Sequence, residues 1–555
     1  MSVVDTRRDQ IFPHLAKDQI EQARRFACGP PQRFAPNKPL FRQGERNASS
    51  FIVLDGEVEV YRHDSAGQES LIVEHDRGSI TGELSQLAGR ASLAEGRAGP
   101  NGCEALAFDA PHLRALIIGS AEVGEIIMRA FILRRTSLIA EGGTGSILVG
   151  RASEVNLLRI QSFLARNGYP FTVLDVDNDE EGNAMVERLG LVDNDLPVLI
   201  CPNGALFKRP SDAEAAQCLG MMPDLDPNIV YDVAVVGAGP AGLATAVYAA
   251  SEGLSALVLD GRGFGGQAGA SARIENYLGF PTGISGHALT ARAFAQAQKF
   301  GAEIAIPIEV RSLTYKGSPE TRRFTLDLSN GQRMMARTVV IASGARYRRP
   351  EIENLSRFEG GGVSYWASPI EAKLCAGSDV ALVGAGNSAG QAVAYLSPRV
   401  KHLHLIVRAD GLEASMSHYL IDRINALPNV TKHFRTEVQK IVEGPGETIS
   451  AVVVQRKDQK TPEEIPVGHL FLFIGADPNT DWLKDCSVNV DDKGFVLTGR
   501  SAPEDGGSRT PLETSLSGVF AIGDVRASST KRVASAVGEG AQVVAAIHAL
   551  LANSK

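Results

Sequence analysis

The chain has 555 residues, 44% hydrophobic and 22% charged, a globular balance that excludes a disordered, collagen-like or coiled-coil protein. At roughly 100–200 residues per domain, that length predicts about three to five domains. Lys+Arg 56 against Asp+Glu 64 leaves a net charge of −8, so neither nucleic acid nor an anionic membrane is an expected partner.

The N-terminus has no apolar stretch of signal-peptide type and no run of 18 apolar residues occurs, so a cytoplasmic protein without a membrane span is expected. Six cysteines, Cys28, Cys103, Cys201, Cys218, Cys375 and Cys486, form no Cys-x-x-Cys pair, and no His/Cys/Asp cluster has ligand spacing, so no metal is expected. Glycine is in excess, 57 of 555 residues, which suits tight turns that bring backbone close to phosphates.

Three parts follow one another, 1–140, 145–222 and 230 to the end, separated by Glu141–Gly145, which reads as a linker, and by the two-proline segment Met222–Asn228. In the first part, apolar and polar residues alternate through Ser50–Tyr61 and Ser70–His75, predicting a small antiparallel β-barrel. Helices follow at about His112–Leu116 and Glu122–Ile139. With Gly78–Leu84 this resembles the cyclic-nucleotide-binding domain, which implies Glu83 as the ribose contact. The family's arginine position holds Ser92, with Arg90 and Arg97 displaced, so Arg90 is the candidate phosphate contact. Another small ligand, packing and dimerisation are the alternatives for this barrel.

The second part reads β-α-β-α from Ser146 to Leu189, then Leu196–Ile200 and a hairpin signal at Pro202-Asn203-Gly204. It resembles a glutaredoxin or thioredoxin-like domain, with Pro197 at that family's cis-proline position. No cysteine stands near Ser153–Asn156, where its Cys-x-x-Cys would fall, and Cys201 and Cys218 are not spaced as an active pair, so a structural or docking role is expected.

In the third part the buried strand Val233–Val236 runs into Gly237-Ala238-Gly239-Pro240-Ala241-Gly242 and an alanine-rich helix. A second strand, Ala256–Leu259, ends in Asp260, roughly 20 residues on. That is the dinucleotide fingerprint: glycines for close approach, a helix N-terminus for pyrophosphate and an acid for ribose hydroxyls. It recurs at Gly384-Ala385-Gly386-Asn387-Ser388-Ala389, but there the next strand ends in Arg408, which can pair with a 2′-phosphate. The first loop therefore suits FAD and the second NADPH, with NADH as the alternative.

These motifs, joined by Gly265-Gly266-Gln267, Ile274–Pro281 with Asn276, Ile341–Ala345 with Ala342 and Gly344, Gly475–Asn479, Gly518–Asp524 with Gly523, and Lys531-Arg532-Val533-Ala534, resemble the low-molecular-weight thioredoxin reductase family. The resemblance implies an FAD domain split over 230–347 and 475–555, an inserted NAD(P)H domain at 348–474, and a homodimer. It also implies that Asp524 contacts the ribityl chain and that hydride passes from nicotinamide to flavin. The fold expected is multidomain: two Rossmann-type α/β domains preceded by the barrel and the thioredoxin-like domain.

One departure decides the chemistry. After Gly362–Tyr365, where the family carries Cys-x-x-Cys and Asp, this chain has Trp366, Ala367, Ser368, Pro369 and Ile370. Neither Trp366 nor Pro369 can serve as a thiolate, so no catalytic acid, base or dithiol is assigned and the acceptor is oxygen, a quinone or a redox protein. Cys375, nearby, reads as a buried structural thiol, and the pair His402 and His404 as a surface face. A flavin-based sensor or regulatory scaffold is the competing function.

Overall fold

The computed structural model describes residues 3–63, 69–140, 146–152, 154–201, 204–317, 323–359, 361–445, 448–502 and 510–552. The linker 141–145, Ser153 and the hairpin positions Pro202 and Asn203 lie outside them.

The front part is an antiparallel five-stranded sheet in which two long strands, Ser50–His63 and Glu95–Phe108, pair along most of their length. Ile52, Leu106 and Phe108 on this sheet pack on Leu113, Leu116, Ile127 and Phe131 of the helices Ala110–Gly119 and Ala121–Ala140. The first of these helices is longer than expected because Asp109 caps it and Pro111 occupies its first turn.

The middle part is a four-stranded sheet. Its central strand Ile147–Gly150 runs parallel to Thr172–Asp175 and antiparallel to Val198–Ile200, which pairs in turn with Leu206–Lys208. The helix Val155–Arg166 covers it with Leu157, Ile160, Phe163 and Leu164, each worth about 1.5–3 kcal/mol when fully buried. The Leu196–Pro197 peptide is cis. Cys201 and Cys218, which are not spaced as an active pair, form a disulfide with their Cα atoms 5.6 Å apart. The fold closes their separation by returning the helix Asp212–Cys218 beside the strand end at Cys201.

The third part holds two sheets. In the first, of seven strands, Glu303–Ala305, Ala256–Leu259, Val230–Val236 and Arg333–Ile341 run parallel in that order, with Val519–Ala521 joining the end of the last. The second is a parallel sheet of five strands centred on Asp379–Val383. Two short antiparallel strands, Ala345–Tyr347 and Ala476–Pro478, carry the chain out to the second sheet and back.

The helix Val533–Ala552 closes the fold. By length and composition it could cross a membrane, with a mean hydropathy of 1.3, a feature that inspection for apolar runs misses. Here its face of Ala536, Gly540, Val543, Val544 and Ile547 packs in the core beside the helix Pro240–Ser251. A Cβ at Gly540 would lie 2.7 Å from that of Ala244, so the two helices touch at backbone distance.

Candidate functional site

Both glycine loops sit at the carboxyl ends of parallel strands, where open α/β sheets bind ligands. At the first, Gly237 has φ +115°, and a Cβ there would come within 2.2 Å of the Ala342 carbonyl oxygen. Gly242 is equally constrained, with its Cβ position 1.9 Å from the Gly237 carbonyl oxygen. The helix Pro240–Ser251 begins at Gly239 without a side-chain cap, which leaves its first N–H groups open to an anion. Gly266 brings a second turn against the loop, its Cβ position 3.2 Å from Gly239 Cα, and Gln267 donates to the Ala345 carbonyl at 2.5 Å.

Asp260 stands at the strand end. One carboxylate oxygen accepts from Ala238 N at 2.9 Å and the other from Arg262 N and Gly263 N, which fixes the acid beside the glycine loop. Ser343 and Asn479 tie the two crossings together, Ser343 Oγ donating to the Asn479 carbonyl at 2.7 Å. Asp524, after Gly523 at φ +72°, is partly buried and accepts no side-chain hydrogen bond among the described residues. Burial raises its pKa, Lys531 opposes the shift and Glu539 adds to it. Arg532, Val533 and Ala534 form the start of the final helix, with Arg532 and Ala534 exposed. Asn276 lies exposed in the turn between the bridged residues Ile274 and Ile284, without a hydrogen bond to the other site residues. An uncapped helix, a glycine cradle, a ribose acid and a free carboxylate fit FAD.

The second loop repeats the design. Gly384 has φ +150° and a Cβ position 2.6 Å from the Phe473 carbonyl oxygen, and the helix Asn387–Leu396 starts uncapped at Gly386. Ser388 is exposed on its first turn and Ala389 is buried against Gly384. Asn387 Oδ1 accepts from Ser417 N at 2.7 Å, and Ser415 Oγ donates to the Ala385 carbonyl at 2.7 Å. Arg408 is 80% exposed, with its nearest carboxylate, that of Glu437, 3.9 Å away, so its guanidinium is open to a 2′-phosphate. Arg435, from the neighbouring strand end, donates to Asp410 at 2.5 Å and brings a second guanidinium close by that the local motif does not contain.

Aromatic rings gather around Trp366. Trp366 Nε1 donates to Glu371 Oε1 at 2.9 Å, and Tyr347 lies 6.3 Å from both Tyr365 and Trp366. Pro369 opens the helix Pro369–Leu374, which Ser368 caps. Cys375 ends that helix fully buried, and burial pushes its thiol up to about 11.

In the front part, Arg90 reaches the third part. Its guanidinium donates to the Ile304 carbonyl at 3.1 Å and lies 5.4 Å over the Phe294 ring. Glu83 caps the short helix Leu84–Ala88 through Ser85 N and lies 3.5 Å from Arg135. The fold also assembles a cluster invisible in linear spacing. Cys28, Asp109 and His112 lie within metal-ligand reach of one another, and Asp109 Oδ1 is already the cap of His112 N at 2.9 Å.

Two further residues escaped sequence reasoning. Glu539 holds Gly523 N at 2.6 Å, and Arg166, from the middle part, lies 4.8 Å over the Trp366 ring. An acid between two glycines on an apolar helix was a visible signal for Glu539.

A model of the cyclic nucleotide-binding domain matches residues 31–119. The model for pyridine nucleotide-disulphide oxidoreductases matches residues 231–540. The chain is 33% identical over 318 residues to NADPH-dependent thioredoxin reductase 3 of Arabidopsis thaliana, covering 56% of this chain and just over half, 57%, of that relative. It is 30% identical to thioredoxin reductase of Mycoplasma genitalium over 57% of this chain and 94% of that one. Thioredoxin reductase of Lactococcus lactis superposes with a TM-score of 0.52 at 25% identity over 58% of this chain and 99% of that structure. That of T. acidophilum gives 0.52 at 28%, over 57% and 98%. All four alignments span little more than half of this chain. The family match extends over more than half of the sequence, and the chain belongs to the pyridine nucleotide-disulphide oxidoreductases.

Proposed function

We propose that this protein is an FAD-dependent oxidoreductase that oxidises NADPH and passes electrons to an acceptor other than a dithiol of its own. The observation that carries the reading is Trp366, hydrogen-bonded to Glu371 and covered by Arg166 where a reactive thiol would have to stand. Bound FAD would supply the redox chemistry, accepting hydride from the nicotinamide. The chain's part is to bind and orient: Gly237–Gly242 and the uncapped helix hold the pyrophosphate, Asp260 the ribose, and Asp524 the ribityl hydroxyls. Gly384–Ala389 and Arg408 do the same for NADPH.

A second reading, a flavin-based sensor, is favoured by one contact. The segment that carries Glu83 also carries Arg90, and Arg90 is bonded to the strand next to Ala256–Leu259, which ends in Asp260. We read residues 145–222 as thioredoxin-like in fold, supported by the strand order and the cis Pro197, and structural in role.

Anaerobic stopped-flow absorbance with NADPH and separately with NADH, followed by air, tests the choice. Bleaching of the oxidised flavin band supports the oxidoreductase, and its recovery rate in air measures oxygen as acceptor. A band that stays oxidised with both nucleotides overturns the oxidoreductase in favour of the sensor.

A further inference from the structure

Arg166 ends the helix Val155–Arg166 of the middle part, yet it reaches across to the third part. Its guanidinium lies 4.8 Å over the Trp366 ring. Stacking occupies the face of a guanidinium and leaves its edge of five N–H donors to be satisfied. Among the described residues none of these donors has a hydrogen-bond partner, although the side chain is largely enclosed and burial lowers its pKa. Tyr347, Glu371 and Asp260 lie within electrostatic reach and favour the charged form, against the like charge of Arg262. A half-buried guanidinium without hydrogen bonds is costly and calls for an anion.

The position is held firmly. Asn167, the next residue, is buried and donates through Nδ2 to the Arg262 carbonyl at 3.1 Å and to the Phe163 carbonyl at 2.9 Å. Gly263 packs directly on it, with a Cβ position 3.1 Å from the Asn167 amide. The helix end is therefore clamped to the turn that follows Asp260, the acid expected on the ribose.

We propose that Arg166 completes the dinucleotide site from outside the nucleotide domains, giving a charge-assisted contact to the adenosine diphosphate half of FAD. The proposal rests on the FAD reading of the first glycine loop. The middle part, without a Cys-x-x-Cys, would then serve as a cofactor clamp.

Flavin removal followed by titration of the full-length apoprotein with FAD, read by quenching of flavin fluorescence, tests this. Arg166→Gln should weaken FAD about tenfold with a shallower salt dependence, Arg166→Lys should recover part of the loss, and Trp366→Leu should stay near wild type. Circular dichroism melts confirm that each variant is folded. Equal FAD affinity in Arg166→Gln and wild type overturns the proposal. So does an equal loss in Trp366→Leu, which would mean that Arg166 acts only by stacking. A wild-type protein that binds no FAD overturns the FAD reading itself and the proposal with it.

Discussion

Glu539 Oε2 accepts the backbone N–H of Gly523 at 2.6 Å, while its other oxygen accepts from Arg526. The final helix thereby sets the turn that presents Asp524. Glu539→Ala leaves a partly buried N–H and a guanidinium unpaired, a loss of about 1.5–3 kcal/mol. FAD content, read as the ratio of flavin to protein absorbance, should fall with it, and Glu539→Gln should recover part.

Gly237→Ala places a methyl 2.2 Å from a carbonyl oxygen at a left-handed φ of +115°. Backbone strain alone is about 1–3 kcal/mol, and the contact forces the strand end at Ala342 to move. The variant should purify without flavin and melt lower. Ala on the exposed turn at Gly253, where nothing lies within 4 Å, should bear only the strain of its own φ.

Arg408→Ala should raise KM for NADPH about tenfold and leave KM for NADH unchanged, since only the phosphorylated ribose gains from a guanidinium. Equal effects on both nucleotides would place the 2′-phosphate elsewhere, with Arg435 the next candidate.

Cys375 is fully buried and its thiol is pushed up to about 11 by desolvation, so about one molecule in a thousand carries the thiolate at pH 8. Iodoacetamide should label this position only after unfolding. Cys375→Ser should leave NADPH-dependent flavin reduction intact. Loss of a disulfide reductase activity in that variant would instead route thiol chemistry through Cys375.

His404 Nδ1 lies 3.1 Å from His433 Nε2, and burial, followed by the neighbouring His433 and His402, pushes His404 down to about 4 against the pull of Asp379. The unfolded chain then binds the proton more readily than the folded one. His404 stabilises the fold above about pH 6.5, and its contribution is lost as pH falls from there towards 4. Thermal melts across that window should be less steep in pH for His404→Asn than for wild type.

What the sequence made legible was local. The glycine loops, Asp260 and Arg408 after them and the aromatic stretch at Trp366 all lie within short, continuous segments. What it hid was contact between parts. Arg90 was legible as a ligand to a phosphate within its own module, but its partner Ile304 belongs to another sheet. Arg166, the Cys201–Cys218 disulfide and the grouping of Cys28 with Asp109 and His112 depend likewise on chain paths that no spacing rule encodes.

The contacts between the parts alter what a break in the backbone would mean. Arg46 holds Asp224 and the Met222 carbonyl, Arg90 holds Ile304, Arg135 lies 4.6 Å over Tyr169, and Asn167 holds Arg262. Arg90, Arg135 and Asn167 each join residues that read as separate modules, and Arg46 ties the front part to the segment between the second and third. A protease cut at 222–228 would sever one covalent bond and leave the Arg90–Ile304 and Asn167–Arg262 contacts across it intact. The pieces would travel through a gel-filtration column together and part only in denaturant, so the modules of this sequence form one mechanical object.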